Sequence, residues 1–150
     1  MQDHPVQNPP RPRNIAIVGT GPTGLYTLHH LLASERPLTV TLFEAAPLAG
    51  VGQPYSPDSA QVTMLANIAS IEIPPLGETY LDWLHRQPVV LLQACGVDPS
   101  GLHERQFLPR LVLGAWFRDR LEHMLETARA RASRGAARTG AGHRRGTGGR

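Results

Sequence analysis

The chain of 150 residues contains no lysine; all 15 of its basic residues are arginine. It has one cysteine, Cys95, so an internal disulfide is excluded and the usage fits a reducing compartment. Its arginine-rich C-terminal tail has no aromatic residue interleaved for base stacking. No apolar run approaches the roughly 18 residues that a membrane-spanning helix needs. The first residues, MQDHPVQNPPRPRN, lack the charged start, apolar stretch and cleavage pattern of a secretory leader, so a cytoplasmic location without membrane contact is expected.

What is abundant is glycine, 15 residues, and proline, 14 residues, which describe a loop-rich chain. The net charge of +3 is unevenly spread. Residues 1–128 carry eight arginines against twelve acids, whereas residues 129–150 carry seven arginines and no acid. The body is therefore mildly acidic and the basic character belongs to the tail. At this length one domain is expected, not two.

Three regions follow from composition. Residues 1–13 hold four prolines and almost nothing apolar, and read as a disordered lead-in. Residues 14–128 carry the periodic apolar pattern of a folded domain. Residues 129–150 are an Arg/Gly/Ala-rich tail with nothing to offset the entropy of ordering a backbone, and disorder is expected there.

Within the body, Asn14–Val18 is a short apolar run rich in Ile and Val, typical of a strand buried on both faces. Pro22–Ser34 places Leu25, Leu28, Leu31 and Leu32 at helical spacing, with proline in the first turn, where a missing N–H costs nothing. Leu38–Phe43 alternates and is rich in β-branched residues, predicting a second strand. Together these form a βαβ unit with parallel strands, so the fold class is α/β of Rossmann type. From Ala45 to Pro75 loop chemistry dominates. Short helices are predicted over Glu78–Arg86 and Val89–Ala94, and a long one from Pro109 to about Ala130.

Between the first strand and the first helix lies Gly19-Thr20-Gly21-Pro22-Thr23-Gly24, an intact G-x-G-x-x-G. Gly19 permits the tight exit from the strand, Gly21 lets a pyrophosphate approach the backbone, and Gly24 lets the helix pack closely. Free amides and the positive end of the helix dipole would meet the phosphates. Glu44 ends the second strand, 20 residues beyond Gly24, where a carboxylate can accept hydrogen bonds from an adenosine ribose. An acid there repels a 2′-phosphate, which favours FAD or NAD over NADP. A phosphate-binding P-loop is excluded, because no Gly-Lys-Ser/Thr follows.

The stretches IAIVGTGPTGLYTLHHLL, VTLFEAAPLAGVGQPYSPDSAQVTMLANIASIEIPP and ERQFLPRLVLGAWFRDRL resemble the N-terminal part of FAD/NAD(P)-binding proteins of the two-dinucleotide-fold flavoprotein group. The likeness runs from about Asn14 to Met124. Gly52–Asp58, the region of Asn67, and Phe107–Arg110 carry it more specifically than the glycine turn does. The resemblance implies that Gly19, Gly21 and Gly24, with Pro22 and Thr23 between them, bind the FAD pyrophosphate and that Glu44 holds its ribose. It places the loop containing Gly50 and Gly52 near the cofactor. One position departs from the extended fingerprint: Leu28 stands where the group often has Gly or Ala.

The resemblance also implies a flavin-dependent oxidoreductase using NAD(P)H, in proteins several hundred residues long. The further strands and closing FAD motif of such proteins are not present, so an incomplete domain, from a fragment or a frame disrupted after about Glu126, is expected. No catalytic residue is assigned, and this chain alone is expected to be inactive. Two alternatives stand beside this: a binding remnant without turnover, and a non-specific nucleic-acid binder acting through the arginine tail, the least favoured of the three.

The remaining chemistry-bearing residues form no constellation. His29-His30 lack ligand partners at metal spacing and read as a polar helix face. Cys95 reads as a buried thiol, and Trp83 and Trp116 as core. Arg110 either reaches a phosphate or flavin edge or serves at a helix start; Tyr55 and Asn67 either touch cofactor or form turns.

Overall fold

The computed structural model describes residues 13–141. Strand β1 (Arg13–Val18) leads through the glycine turn into helix α1 (Pro22–Leu32), and strand β2 (Leu38–Phe43) returns beside β1. The strands are parallel and in continuous register from Arg13↔Leu38 to Val18↔Phe43. A long connection with two single 3-10 turns, at Gln53–Tyr55 and Ser70–Glu72, leads to helices α2 (Tyr80–His85) and α3 (Val89–Ala94). After another 3-10 turn at Pro99–Gly101 comes the long helix α4 (Arg110–Ala141).

The elements start and stop where local chemistry directs. The hydroxyl of Thr79 accepts the Asp82 amide at 3.1 Å and donates to the Asp82 carboxylate at 2.6 Å, a reciprocal cap that opens α2. Pro88 precedes α3, and Gly96, at φ 77°, ends it in the left-handed conformation that a Cβ disfavours. In α4, Leu113, Trp116, Phe117, Leu121 and Met124 recur at helical spacing and are all buried.

The core takes in one face of the sheet through Ile17, with Ile15, Val40 and Leu42 packed against it, but most of it lies among the helices. It is centred on α4, where Trp116 lies 5.2 Å from the ring of Tyr80 and 5.1 Å from that of Phe117, with Leu76, Leu84, Leu92 and Leu108 closing around them. A charged network joins α2 to α4 on one side of this core. Arg120, 8% exposed, pairs with Glu78 and Asp119, while the Trp83 indole donates to Asp119 at 3.1 Å.

The sheet is correspondingly one-sided. Ile15, Ile17, Val40 and Leu42 turn toward the helices, and the alternate residues Asn14, Ala16, Val18, Thr39, Thr41 and Phe43 are exposed. This corrects the expectation that β1 is buried on both faces. Among the described residues no element covers the second face of this two-stranded sheet, and Val18, 85% exposed, stands on it.

The tail also differs from expectation. Disorder is expected from residue 129, yet α4 continues through Ala141. Alanine and arginine are strong helix formers, and extending a helix already nucleated by a packed segment avoids the cost of nucleation. The expected lead-in disorder falls on residues outside those described, apart from Arg13, which begins β1; the end of the arginine tail, residues 142–150, lies outside them too. Among the described residues no helix is long and apolar enough to cross a membrane.

Candidate functional site

The glycine turn emerges at the C-terminal end of the two strands, where their pairing stops. The Gly19 amide still donates to the Phe43 carbonyl at 2.8 Å, one step beyond the strands. Gly19 then takes φ 87°, turning the chain out of the sheet, with open space where a Cβ would stand. A Cβ on Gly24 would lie 2.1 Å from the Gly19 carbonyl oxygen, so the first turn of α1 rests directly on the end of β1. Gly21 has extended backbone as the N-cap of α1. The positive end of the helix thus has no acidic side chain in its first turn and no side-chain cap to neutralise it.

Glu44 folds back onto this turn. Its Oε2 accepts both the amide and the hydroxyl of Thr20, at 2.8 and 2.5 Å, and its Oε1 accepts the Ala46 amide at 2.9 Å. The Thr20 hydroxyl, and then the backbone amides of Ala46 and Thr20, hold the Glu44 carboxyl down at about 2 although it is exposed to solvent. It is ionised throughout the neutral range.

The loop after β2 completes the arrangement. The Gly50 amide donates to the Thr20 hydroxyl oxygen at 3.0 Å. Gly52, at φ 66°, lies against the turn: a Cβ on Gly21 would stand 3.2 Å from the Gly52 Cα. Behind the loop, a Cβ on Gly50 would stand 3.0 Å from the Arg118 Cα, and one on Gly114 would stand 2.3 Å from the Tyr55 carbonyl oxygen. The segment Gly50–Tyr55 is thus held between α4 and the glycine turn by glycines on both sides.

Two clefts flank this segment. One, of about 420 Å³, is lined by Gly19, Gly21, Pro22, Thr23 and Gly24 together with Gly52 and Gln53. The other, of about 490 Å³, is lined by Glu44, Ala45, Gln53, Ser56 and Asp58. They share Gly52 and Gln53, and both are of ligand size. The first has no charged lining residue and the uncapped amides of α1; the second has the ionised Glu44. A pyrophosphate beside the glycines and a ribose beside the acid suit these two chemistries, so the donor set fits a dinucleotide.

Gly19, Gly21, Pro22, Thr23 and Gly24 are therefore together on one cleft, with Glu44 tied to the same turn through Thr20. Other residues lie elsewhere. The Arg110 guanidinium donates to the Leu65 carbonyl at 3.2 Å, which favours its helix-start role. Tyr55 packs on Phe117 at 5.5 Å, and Asn67 is exposed. Trp83 and Trp116 are core, and Cys95 is half-buried with its thiol pushed up by burial. Among the described residues no three His, Cys or acidic side chains are placed to hold a metal. Sequence reasoning passed over Thr20 and Gly114. Thr20 occupies a variable position of the motif, and Gly114 sits inside a helix; a hydroxyl next to the first glycine was the one available signal.

Comparison with known proteins agrees with the geometry. The chain is 54% identical over 117 residues to the protein of Escherichia coli (strain K12) named Uncharacterized protein YdhS, a match covering 78% of this chain and 22% of that relative. The chain thus spans about a fifth of the length of this curated relative. No solved structure matches. The model of the FAD-NAD(P)-binding family matches residues 16–141, from the middle of β1 to the last residue of α4. The chain belongs to the FAD-NAD(P)-binding family.

Proposed function

We propose that the cradle holds FAD, with Gly19, Gly21, Pro22, Thr23 and Gly24 at the pyrophosphate and Glu44 at the adenosine ribose. The observation that carries this reading is the Thr20–Glu44 contact. It joins the acid at the end of β2 to the glycine turn, so phosphate and ribose sites are built as one unit rather than as two loops. An ionised Glu44 disfavours a 2′-phosphate nearby by like-charge repulsion, which supports FAD or NAD over NADP. The choice of FAD over NAD rests on the resemblance of the Gly52–Asp58 and Phe107–Arg110 stretches to flavoproteins.

For the whole protein we propose, from the same resemblance, a flavin-dependent oxidoreduction with NAD(P)H. FAD would supply the electron transfer, and the protein its binding and orientation. Among the described residues, those lining the glycine cleft include no His, Cys, Asp, Glu or Arg, which suits phosphate binding by backbone amides there. On this reading the chain supplies the FAD-holding part of that activity, and it matches 22% of the length of the E. coli relative.

Titration of the purified chain with FAD and with NAD, followed by flavin fluorescence and by calorimetry, tests the assignment. FAD is expected to bind more tightly than NAD. Gly21→Ala is expected to remove FAD binding, since its Cβ must push Gly52 or enter the cleft. Undiminished FAD binding by Gly21→Ala would refute the site.

A further inference from the structure

Thr20 occupies the first variable position of the glycine motif, where a side chain could equally face solvent. It is instead buried, at 3% exposure, and makes three contacts. Its amide and hydroxyl both donate to Glu44 Oε2, and its hydroxyl oxygen accepts the Gly50 amide. The hydroxyl has one proton, and Glu44 receives it; one lone pair receives the Gly50 amide. The geometry leaves little freedom for any other arrangement.

The acceptor inventory of Glu44 follows. Each carboxylate oxygen offers about two acceptor sites, and four are available in all. Thr20 fills both sites on Oε2, and the Ala46 amide fills one on Oε1. One site on Oε1 is left. A carboxylate free in solution could accept two neighbouring ribose hydroxyls, one on each oxygen; this one has capacity for a single hydroxyl.

We infer that Thr20 is a positioning residue that restricts Glu44 to one of the two adenosine ribose hydroxyls, making the site selective at that hydroxyl alone. This rests on the dinucleotide reading above. Thr20 touches no ligand itself; it acts by occupying one carboxylate oxygen and by fixing the other against the loop that begins at Gly50.

The test uses the full chain and three probes: ADP, 2′-deoxy-ADP and 3′-deoxy-ADP, titrated calorimetrically into the wild type, Glu44→Ala, Thr20→Val and Thr20→Ser. In the wild type, removing the hydroxyl that Glu44 reads is expected to weaken binding about tenfold, the order of one charge-assisted hydrogen bond. Glu44→Ala should erase that penalty and leave the response to the other analogue as in the wild type. Thr20→Val, nearly the same size without the hydroxyl, should reduce the discrimination to less than about threefold. Thr20→Ser should keep it.

Loss of both analogue penalties in Glu44→Ala would overturn the inference while leaving the dinucleotide site intact. So would wild-type discrimination in Thr20→Val. If Thr20→Val fails to fold, the comparison of Glu44→Ala with the wild type still decides between one hydroxyl and two. A wild type that binds none of the three probes would overturn the cofactor reading and this inference with it.

Discussion

Gly24→Ala tests the geometry of the turn in a direction opposite to ordinary expectation. In the first turn of a helix, replacing glycine by alanine normally stabilises by about 0.5–1 kcal/mol, because glycine loses more backbone freedom on folding. Here the added carbon would lie 2.1 Å from the Gly19 carbonyl oxygen, 3.2 Å from the Gly19 carbonyl carbon and 3.4 Å from Ile17 Cγ2. The first of these is roughly 1 Å short of any tolerable contact. The obstacle is backbone at the end of a paired strand, so no flexible side chain can yield. Either α1 moves off β1 or the Gly19 peptide rotates, and both deform the cleft. Overpacking of this kind costs about 1–3 kcal/mol and sometimes more, which exceeds the propensity gain. At about 2–4 °C per kcal/mol for a chain of this length, the melting temperature should fall by roughly 5 °C, with FAD affinity reduced at least about tenfold. A circular-dichroism melt and a fluorescence titration measure both. A variant as stable as the wild type, or more stable, would refute the close contact between α1 and Gly19.

Gly114→Ala should act from the opposite side of the loop: its Cβ would meet the Tyr55 carbonyl oxygen at 2.3 Å, so stability should drop by about 1–3 kcal/mol and FAD should bind more weakly, although Gly114 is not in either cleft. Glu78→Gln removes one of the two carboxylates paired with Arg120, whose side chain is 9% exposed, and should cost about 1.5–3 kcal/mol in urea unfolding; no change in midpoint would show that Asp119 suffices alone. The pH dependence of stability should carry the mark of Glu44. Its folded carboxyl titrates near 2, below the ordinary 4.5, so the stabilisation is complete above about pH 4.5 and is lost as pH falls toward 2. Glu44→Gln should be less stable at neutral pH and should show a shallower decline over that window; parallel curves for the two proteins would contradict the Thr20 contact.

The βαβ unit with its glycine turn was legible because it is local. An Ile/Val run, three glycines, a leucine stripe and an alternating strand lie within about thirty residues, and each element's period or turn chemistry identifies it without knowledge of the rest. The structure places β1, α1 and β2 within a residue or two of the expected bounds. Glu44 stands out in the sequence as the acid closing that unit, and the structure ties it to the glycine turn through Thr20. What was not legible depends on contacts across long separations. The resemblance placed the loop of Gly50 near the cofactor, but nothing local shows that Gly50 meets the backbone of Arg118, 68 residues on, or that Gly114, inside a helix, meets that of Tyr55, 59 residues back. Thr20 is invisible to a motif that counts only glycines. The location of the core on α4, and the bare second face of β1, follow from which elements find partners, and apolar runs of five residues do not encode that. The continuation of α4 past residue 128 is a related case, where composition pointed to disorder and helix propensity on a packed stem prevailed.

The central claim is that this chain folds around FAD at the glycine turn. The most direct measurement mixes the purified chain with FAD at moderate salt and follows flavin fluorescence and melting temperature in the same samples. Binding at this site predicts a saturable change in flavin fluorescence together with a melting temperature that rises with FAD concentration, as mass action requires when ligand binds only the folded state. A cooperative melt that FAD leaves unmoved, with flavin fluorescence equal to that of free FAD, would contradict it.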